Sequence, residues 1–206
     1  MSSPISGEGI VPQRLKILLI SPEVEPFAKT GGLADVAGAL PKALEALGHD
    51  VRVMMPKYRG VEQRSGPLST VVPQIRVPIA DRISEGAILE GRLGRSVPVY
   101  FLKADSYYER GGLYTTPEGD YGDNCERFIF FCRAALEALR HLGWTPHVIH
   151  ANDWQTGLVP VYLETLYRDD PAYSKIGTLF TIHNLAYQGM FWHYDMPMTG
   201  LGWDLF

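Results

Sequence analysis

The feature that most constrains this 206-residue chain is the run LKILLIS at residues 15–21. It lacks the apolar–polar alternation of a strand with one wet face, so it reads as a strand buried on both faces, as at the centre of a parallel sheet. A loop rich in proline and glycine, PEVEPFAKTGGL, follows it. Leu33, Val36, Ala37, Leu40, Leu44 and Leu47 then recur at helical spacing, and Gly48 stands where such a helix would stop. Pro41 interrupts the pattern, which predicts a kink or a restart there. A further apolar run, Asp50 to Met55, completes a strand–helix–strand unit with an expected right-handed crossover.

Residues 71–103 change character. The stretches VVPQIRVPI, AILEGRL and SVPVYFLKA, separated by glycine and charged turns, predict hairpin-linked strands, either an antiparallel edge or an excursion from the sheet. A tyrosine- and glycine-rich loop, DSYYERGGLYTTPEGDYGDN, leads into a helix whose apolar stripe is Cys125, Phe128, Ile129, Cys132, Ala135, Leu136 and Leu139. The parallel pattern resumes with the strand HVIHA. Asn152 and Asp153 can cap the next helix, and Leu158, Val159, Tyr162, Leu163 and Leu166 are assigned to its buried face. Ile176 to Ile182 is the last apolar strand and runs into HNLAYQGMF. The alternation predicts a Rossmann-like, doubly wound α/β domain with a mostly parallel sheet over residues 15–206, behind a disordered leader at residues 1–14.

With 46% hydrophobic and 20% charged residues, the chain can build one substantial core. A formal net charge of -4 with scattered basic residues gives no reason to expect nucleic acid as a partner. Cys125 and Cys132 lie seven residues apart on one helical face, roughly 10 Å between backbones, beyond disulfide reach. They also lack metal-site spacing and companion ligands. No signal-peptide pattern or bilayer-length apolar run occurs, so a soluble, cytoplasmic setting is expected.

Ligands of open α/β sheets bind outside the carboxyl ends of the strands, and three polar segments fall at such ends. In the first, the Gly31–Gly32 pair lets backbone amides approach a diphosphate at a helix amino end, with Lys29 adding a full charge. The plainer reading is a glycine turn with a solvated lysine. Its spacing matches neither the dinucleotide fingerprint nor the P-loop. In the second, His150 can donate to a sugar hydroxyl while Asn152 and Asp153 bind hydroxyls or cap a helix. Trp154 stands beside them. In the third, His183, Asn184, Tyr187 and Gln188 combine rings and amides in a way that suits carbohydrate, or simply pack a loop. Asp123 can accept from a sugar hydroxyl or act as an N-cap.

The blocks SPEVEPFAKTGGLADVAGALPKALEALGHDVRVMMPKY, YYERGGLYTTPEGDYGDNCERFIFF, VIHANDWQTGLVPVYL and TIHNLAYQGMF, in that order, resemble bacterial glycogen synthases and plastid starch synthases. The resemblance implies a GT-B enzyme of two Rossmann-like domains. It implies retaining transfer of glucose from ADP-glucose to the 4-hydroxyl of an α-1,4-glucan, with no metal and no cofactor. It implies that Lys29, Gly31 and Gly32 meet the donor phosphates and that Asp35 lies close to donor or acceptor. His150 would contact the transferred glucose, Asp123 would be catalytic, and His183, Asn184 and Gln188 would shape the acceptor side. It implies also a second, C-terminal Rossmann-like domain that this chain does not contain, and hence little or no activity of the chain alone. A rival expectation is a non-catalytic glucan-binding module that uses the tyrosines between Tyr107 and Tyr121 and the HNLAYQG segment.

Overall fold

A computed structural model describes residues 14–206. The expected leader at residues 1–14 lies, apart from Arg14, outside the described residues. In chain order the elements are β1 (Lys16–Ile20), α1 (Gly32–Ala46), β2 (Asp50–Pro56), α2 (Val61–Ser65), β3 (Ser69–Ile79), β4 (Arg82–Leu93) and β5 (Val97–Lys103). They continue with α3 (Asp105–Tyr108), β6 (Thr115–Thr116), β7 (Gly119–Asp120), α4 (Asn124–Leu139), β8 (Val148–Asn152), α5 (Leu158–Glu164) and β9 (Gly177–Thr181). Seven strands form one sheet in the order β3-β4-β5-β2-β1-β8-β9, and β6 and β7 form a small separate ladder.

The central strand is the one its composition marks. Leu18, Leu19 and Ile20 of β1 are fully buried, and β1 pairs in parallel with β2 on one side and β8 on the other. β2 with β5 and β8 with β9 are parallel as well, whereas β3 and β4 form an antiparallel edge. For residues 71–103 the antiparallel edge is therefore what forms and the excursion is not, because all three strands stay in the sheet and β5 pairs in parallel with β2. From β1 the chain moves to β2, on to the edge strand β3 and back inward through β4 to β5, then crosses through α4 to β8 on the other side of β1. The strand order reverses between β1 and β8, and the right-handed crossover rule sets α1 on one face and α4 and α5 on the other.

Four local expectations are corrected. α1 runs through Pro41 as one helix, with the ring buried where the missing N–H leaves only the Ala37 carbonyl unpaired within the helix. α4 is buried almost all round and not along one stripe, because it packs on β3, β4 and β5 and on α5. Leu166 is exposed beyond the end of α5, which closes at Glu164. Neither Asp123 nor Asp153 caps a helix with its side chain, and α5 starts behind Gly157. The last strand, β9, is an edge: Leu179 and Phe180 on it, and Ile182 after it, are 53, 40 and 57% exposed.

Both cysteines are free thiols, and burial pushes each up to about 12. Among the described residues no helix is long and apolar enough to cross a membrane, and no group of three or more His, Cys, Asp or Glu is placed to hold a metal ion.

Candidate functional site at the strand-order reversal

β1, β8 and β9 run parallel, so the segments after them leave from the same end of the sheet. Asn152, buried at the end of β8, ties two of those ends together: its amide donates to the Ile20 carbonyl of β1 at 3.1 Å. Its Oδ1 lies 2.9 Å from Nε2 of His183, just past β9. Asp153 completes the clamp through its Oδ1, which accepts from the His183 backbone amide at 2.6 Å. The Asn-Asp pair thus joins loops and caps nothing, because its side chains meet the neighbouring strand ends and not the following turn.

Asp153 sits at φ 58, ψ 174, a region that side chains other than glycine avoid. Four bonds hold it there: its amide donates to the Thr181 carbonyl at 2.9 Å, its carbonyl accepts from the Thr156 amide and hydroxyl, each at 3.0 Å, and its carboxylate accepts from the His183 amide. Strain maintained by surrounding bonds is a feature that functional sites concentrate. The sequence carries no sign of it.

His150 is buried near the end of β8, with Nε2 2.8 Å from Thr181 Oγ1. Burial first, and the nearby His183 second, lower its pKa, so the ring is neutral at pH 7. A neutral imidazole is a hydrogen-bonding group that can serve a sugar hydroxyl without carrying a charge.

On the β1 side, Gly31 is the N-cap of α1 and offers no side-chain cap. A Cβ built on Gly31 or Gly32 meets nothing within 4 Å, so the outer side of this turn is open. Lys29 and Asp35 form an ion pair at 2.5 Å, both well exposed, which raises the lysine pKa above its ordinary value and keeps the ammonium charged. Lys29 therefore reaches the same end of the sheet as the two histidines without touching either.

The sequence reading missed Glu23. Buried to 4% exposure, its carboxylate accepts from the Thr30 amide, from the Gly31 amide at 3.4 Å, from the Thr30 hydroxyl at 2.6 Å and from the Tyr114 hydroxyl at 2.8 Å. Two of the loop amides are thus engaged internally. A lone glutamate in a proline-rich loop has no periodicity to reveal it, and its partner Tyr114 lies 91 residues away.

Asp123 precedes α4 and takes a bidentate pair from Arg110, at 2.7 and 2.6 Å. Burial works against its ionisation, but Arg110 and then Arg127 outweigh it and hold the carboxyl below the usual range. The neighbouring residues Asp120 and Asn124 face the 186–191 loop across a cleft of about 350 Å³, with Trp154 at its base. Gly189, at φ 62, lies flat on the Trp154 ring, where a Cβ would stand 2.5 Å from Cε3. Tyr187 is 70% exposed beside this cleft. The amides of Asn184 and Gln188 serve their own loop: Asn184 Oδ1 accepts from the Ala186 amide, and Gln188 Nε2 donates to the Leu185 carbonyl.

A second cavity, about 590 Å³, lies under residues 185–206 among apolar side chains such as Phe128, Phe180 and Trp192. It shares only Trp154, Tyr187 and Gln188 with the candidate residues, and polar chemistry collects at the rim instead. Tyr107 and Tyr108 are buried, Tyr114 is hydrogen-bonded inward, and Arg110 and Arg127 stack on Tyr121. The tyrosine-rich loop is therefore a packed unit and not an open stacking surface for a glucan.

A doubly wound α/β domain whose polar loops gather where the strand order reverses belongs to the class of open-sheet domains that bind ligands outside the carboxyl ends of their strands. The starch synthase catalytic domain model matches residues 16–206, and the chain belongs to that family. It is 52% identical to a glycogen synthase of Syntrophotalea carbinolica over 177 residues, covering 86% of this chain and 36% of that protein. It is 45% identical to glycogen synthase 2 of Geobacter sulfurreducens over 192 residues, covering 93% and 40%. Among solved structures it resembles the catalytic domain of starch synthase IV from Arabidopsis thaliana bound to ADP and acarbose, with TM-score 0.80 and 30% identity, covering 94% of this chain and 38% of that one. The chain thus spans well under half the length of these relatives.

Proposed function

We propose that this chain is the part of a GT-B glucosyltransferase that meets both substrates, with ADP-glucose as donor and the non-reducing end of an α-1,4-glucan as acceptor. Glucose passes to the acceptor 4-hydroxyl with retention, inside a cytoplasmic enzyme whose second Rossmann-like domain closes over the donor. The observation that carries this reading is the pairing, across the strand-order reversal, of an uncapped α1 amino end and Lys29 on one side with a buried neutral His150 on the other. The related structure bound to ADP and acarbose supports the same substrate pair.

The leaving group gains negative charge as the glycosidic bond breaks, so fixed amides and a cation beside it favour the transition state. Lys29 exchanges Asp35 for the diphosphate, and the Gly32 end of α1 supplies amides and the positive end of the helix dipole. His150 hydrogen-bonds a hydroxyl of the transferred glucose. The cleft between Asp120, Asn124 and the 186–191 loop receives the glucan, with the exposed Tyr187 ring as a stacking face. Asp123, ion-paired with Arg110 and adjacent in sequence to Asn124 of that cleft, is assigned a catalytic role. Attack comes from the face the leaving group departs, and the departing phosphate takes the acceptor proton.

Titration calorimetry with ADP, and separately with a maltooligosaccharide, tests this. Lys29→Ala is expected to weaken ADP about tenfold, one charge-assisted contact, and to leave the maltooligosaccharide unchanged. ADP affinity insensitive to Lys29→Ala, with maltooligosaccharide binding retained, would favour the glucan-binding module. The chain alone is expected to extend glucan little or not at all, and efficient extension from ADP-glucose would contradict that.

A further inference from the structure

Glu23 has no part in the function proposed above, yet it holds the most connected buried carboxylate at this end of the sheet. On one side it gathers the Thr30 amide, the Gly31 amide and the Thr30 hydroxyl, which are the backbone and side chain immediately before α1. On the other it takes the Tyr114 hydroxyl. Tyr114 is in turn built into the Asp123 region: its carbonyl accepts from the Asn124 side-chain amide at 2.9 Å and from the Tyr121 amide at 3.0 Å. Asn124 Oδ1 then accepts from Arg127, a fully buried guanidinium that also donates to the Leu113 carbonyl. A single carboxylate therefore joins the loop after β1 to the loop before α4.

We propose that Glu23 is a positioning residue: it fixes the Lys29–Gly32 turn, and its distance from the Asp123 loop, so that the first amides of α1 and the Lys29 ammonium face the donor diphosphate. This rests on the donor reading given above. By consuming the Thr30 and Gly31 amides internally, Glu23 leaves the Gly32 end of the turn as the part presented to ligand. Geometry, not charge, is what the role demands. A glutamine can keep it, because its Oε1 accepts from the two amides while its NH₂ donates to the Thr30 and Tyr114 hydroxyls, both of which can accept. An alanine cannot, and it strands two amides and two hydroxyls that have lost their acceptor.

The test compares the 206-residue chain with Glu23→Ala, Glu23→Gln and Tyr114→Phe, at a temperature well below every melting transition. It uses two readouts: ADP titration, and hydrogen exchange at residues 28–32 and 110–124. Glu23→Ala is expected to weaken ADP by about tenfold or more and to speed exchange in both segments, while strands β1 and β2 are unaffected. Glu23→Gln is expected to stay within about threefold of the unsubstituted chain. Tyr114→Phe is expected to speed exchange at residues 28–32, although that segment is remote in sequence. A folded Glu23→Ala chain that binds ADP normally would overturn the proposal. So would Glu23→Gln behaving like Glu23→Ala, since charge rather than position would then be responsible. If the unsubstituted chain binds no ADP, the donor reading fails, and the exchange data decide alone: unchanged exchange at residues 28–32 in Glu23→Ala and Tyr114→Phe overturns the linkage, and faster exchange upholds it.

Discussion

At ordinary positions alanine is more stable than glycine, and at Asp153 the order should invert. Replacing Asp153 by either residue removes the same acceptor, the Oδ1 that receives the His183 amide at 2.6 Å. That common loss cancels when the two variants are compared with each other. What remains is the backbone: at φ 58, ψ 174 a Cβ is strained by about 1–3 kcal/mol, whereas glycine occupies the region freely. Against this, glycine gains unfolded-state entropy worth about 0.4–1 kcal/mol relative to alanine. The difference leaves Asp153→Gly more stable than Asp153→Ala by about 0.5–2 kcal/mol. For a chain of this size that corresponds to a melting temperature higher by about 1–8 °C. Paired denaturant titrations at one pH, with equal m-values, measure the difference directly. If Asp153→Ala proves equal to or more stable than Asp153→Gly, the strained conformation is absent in solution, and the argument that this turn is held for function falls with it.

Two further outcomes bear on the same rim. Gly32→Ala adds a Cβ into open space at the first residue of α1, so the free chain should gain about 0.4–1 kcal/mol while ADP affinity falls about tenfold; melting curves and ADP titration read the opposed signs, and a loss of stability or unchanged affinity would contradict the open phosphate-facing turn. His150 has its pKa lowered from the ordinary 6.5, so the unfolded chain binds its proton first as pH falls, and stability present above about 6.5 is progressively lost below it down to the folded value. Thermal melts of the chain and His150→Gln from pH 7.5 to 5 should show the native chain losing more stability than the variant, and parallel curves would refute the assignment.

The fold was legible where burial imposes a local signature. The unbroken apolar run of β1 marked a strand wet on neither face, and the short alternating or apolar stretches of residues 71–103 marked hairpin-linked strands while leaving edge and excursion both open. Pro41 misled because a buried proline costs one helical bond without forcing a break when its neighbours pack well. Leu166 misled because periodicity cannot show where a short helix stops. At the site, the segments were legible and the partnerships were not. Lys29, His150 and His183 were identified as strand-end residues, but nothing in KTGGL reveals that Glu23 holds its amides. Nothing in HAND shows that Asn152 and Asp153 clamp the loop after β9. Asp123 finds Arg110 across an irregular loop, where sequence spacing carries no geometric information.

The positions of these partnerships follow from topology. Where strand order reverses, the connections from β1 and β8 depart to opposite faces, so the crevice between their ends has no crossover of its own to close it. Side chains must bridge it. Asn152 does so by reaching the Ile20 carbonyl, and Glu23 does so from the β1 side by reaching the loop ahead of α4. Both are buried polar groups with partners in their own segment and in a different one, so they are fully satisfied only when both sides of the crevice are in place. A site built this way is rigid beneath and open above. Asn152, Glu23 and Asp153 fix the floor from below, while Lys29, Gly31, Gly32 and Tyr187 are exposed above it, where a ligand from solvent can reach them.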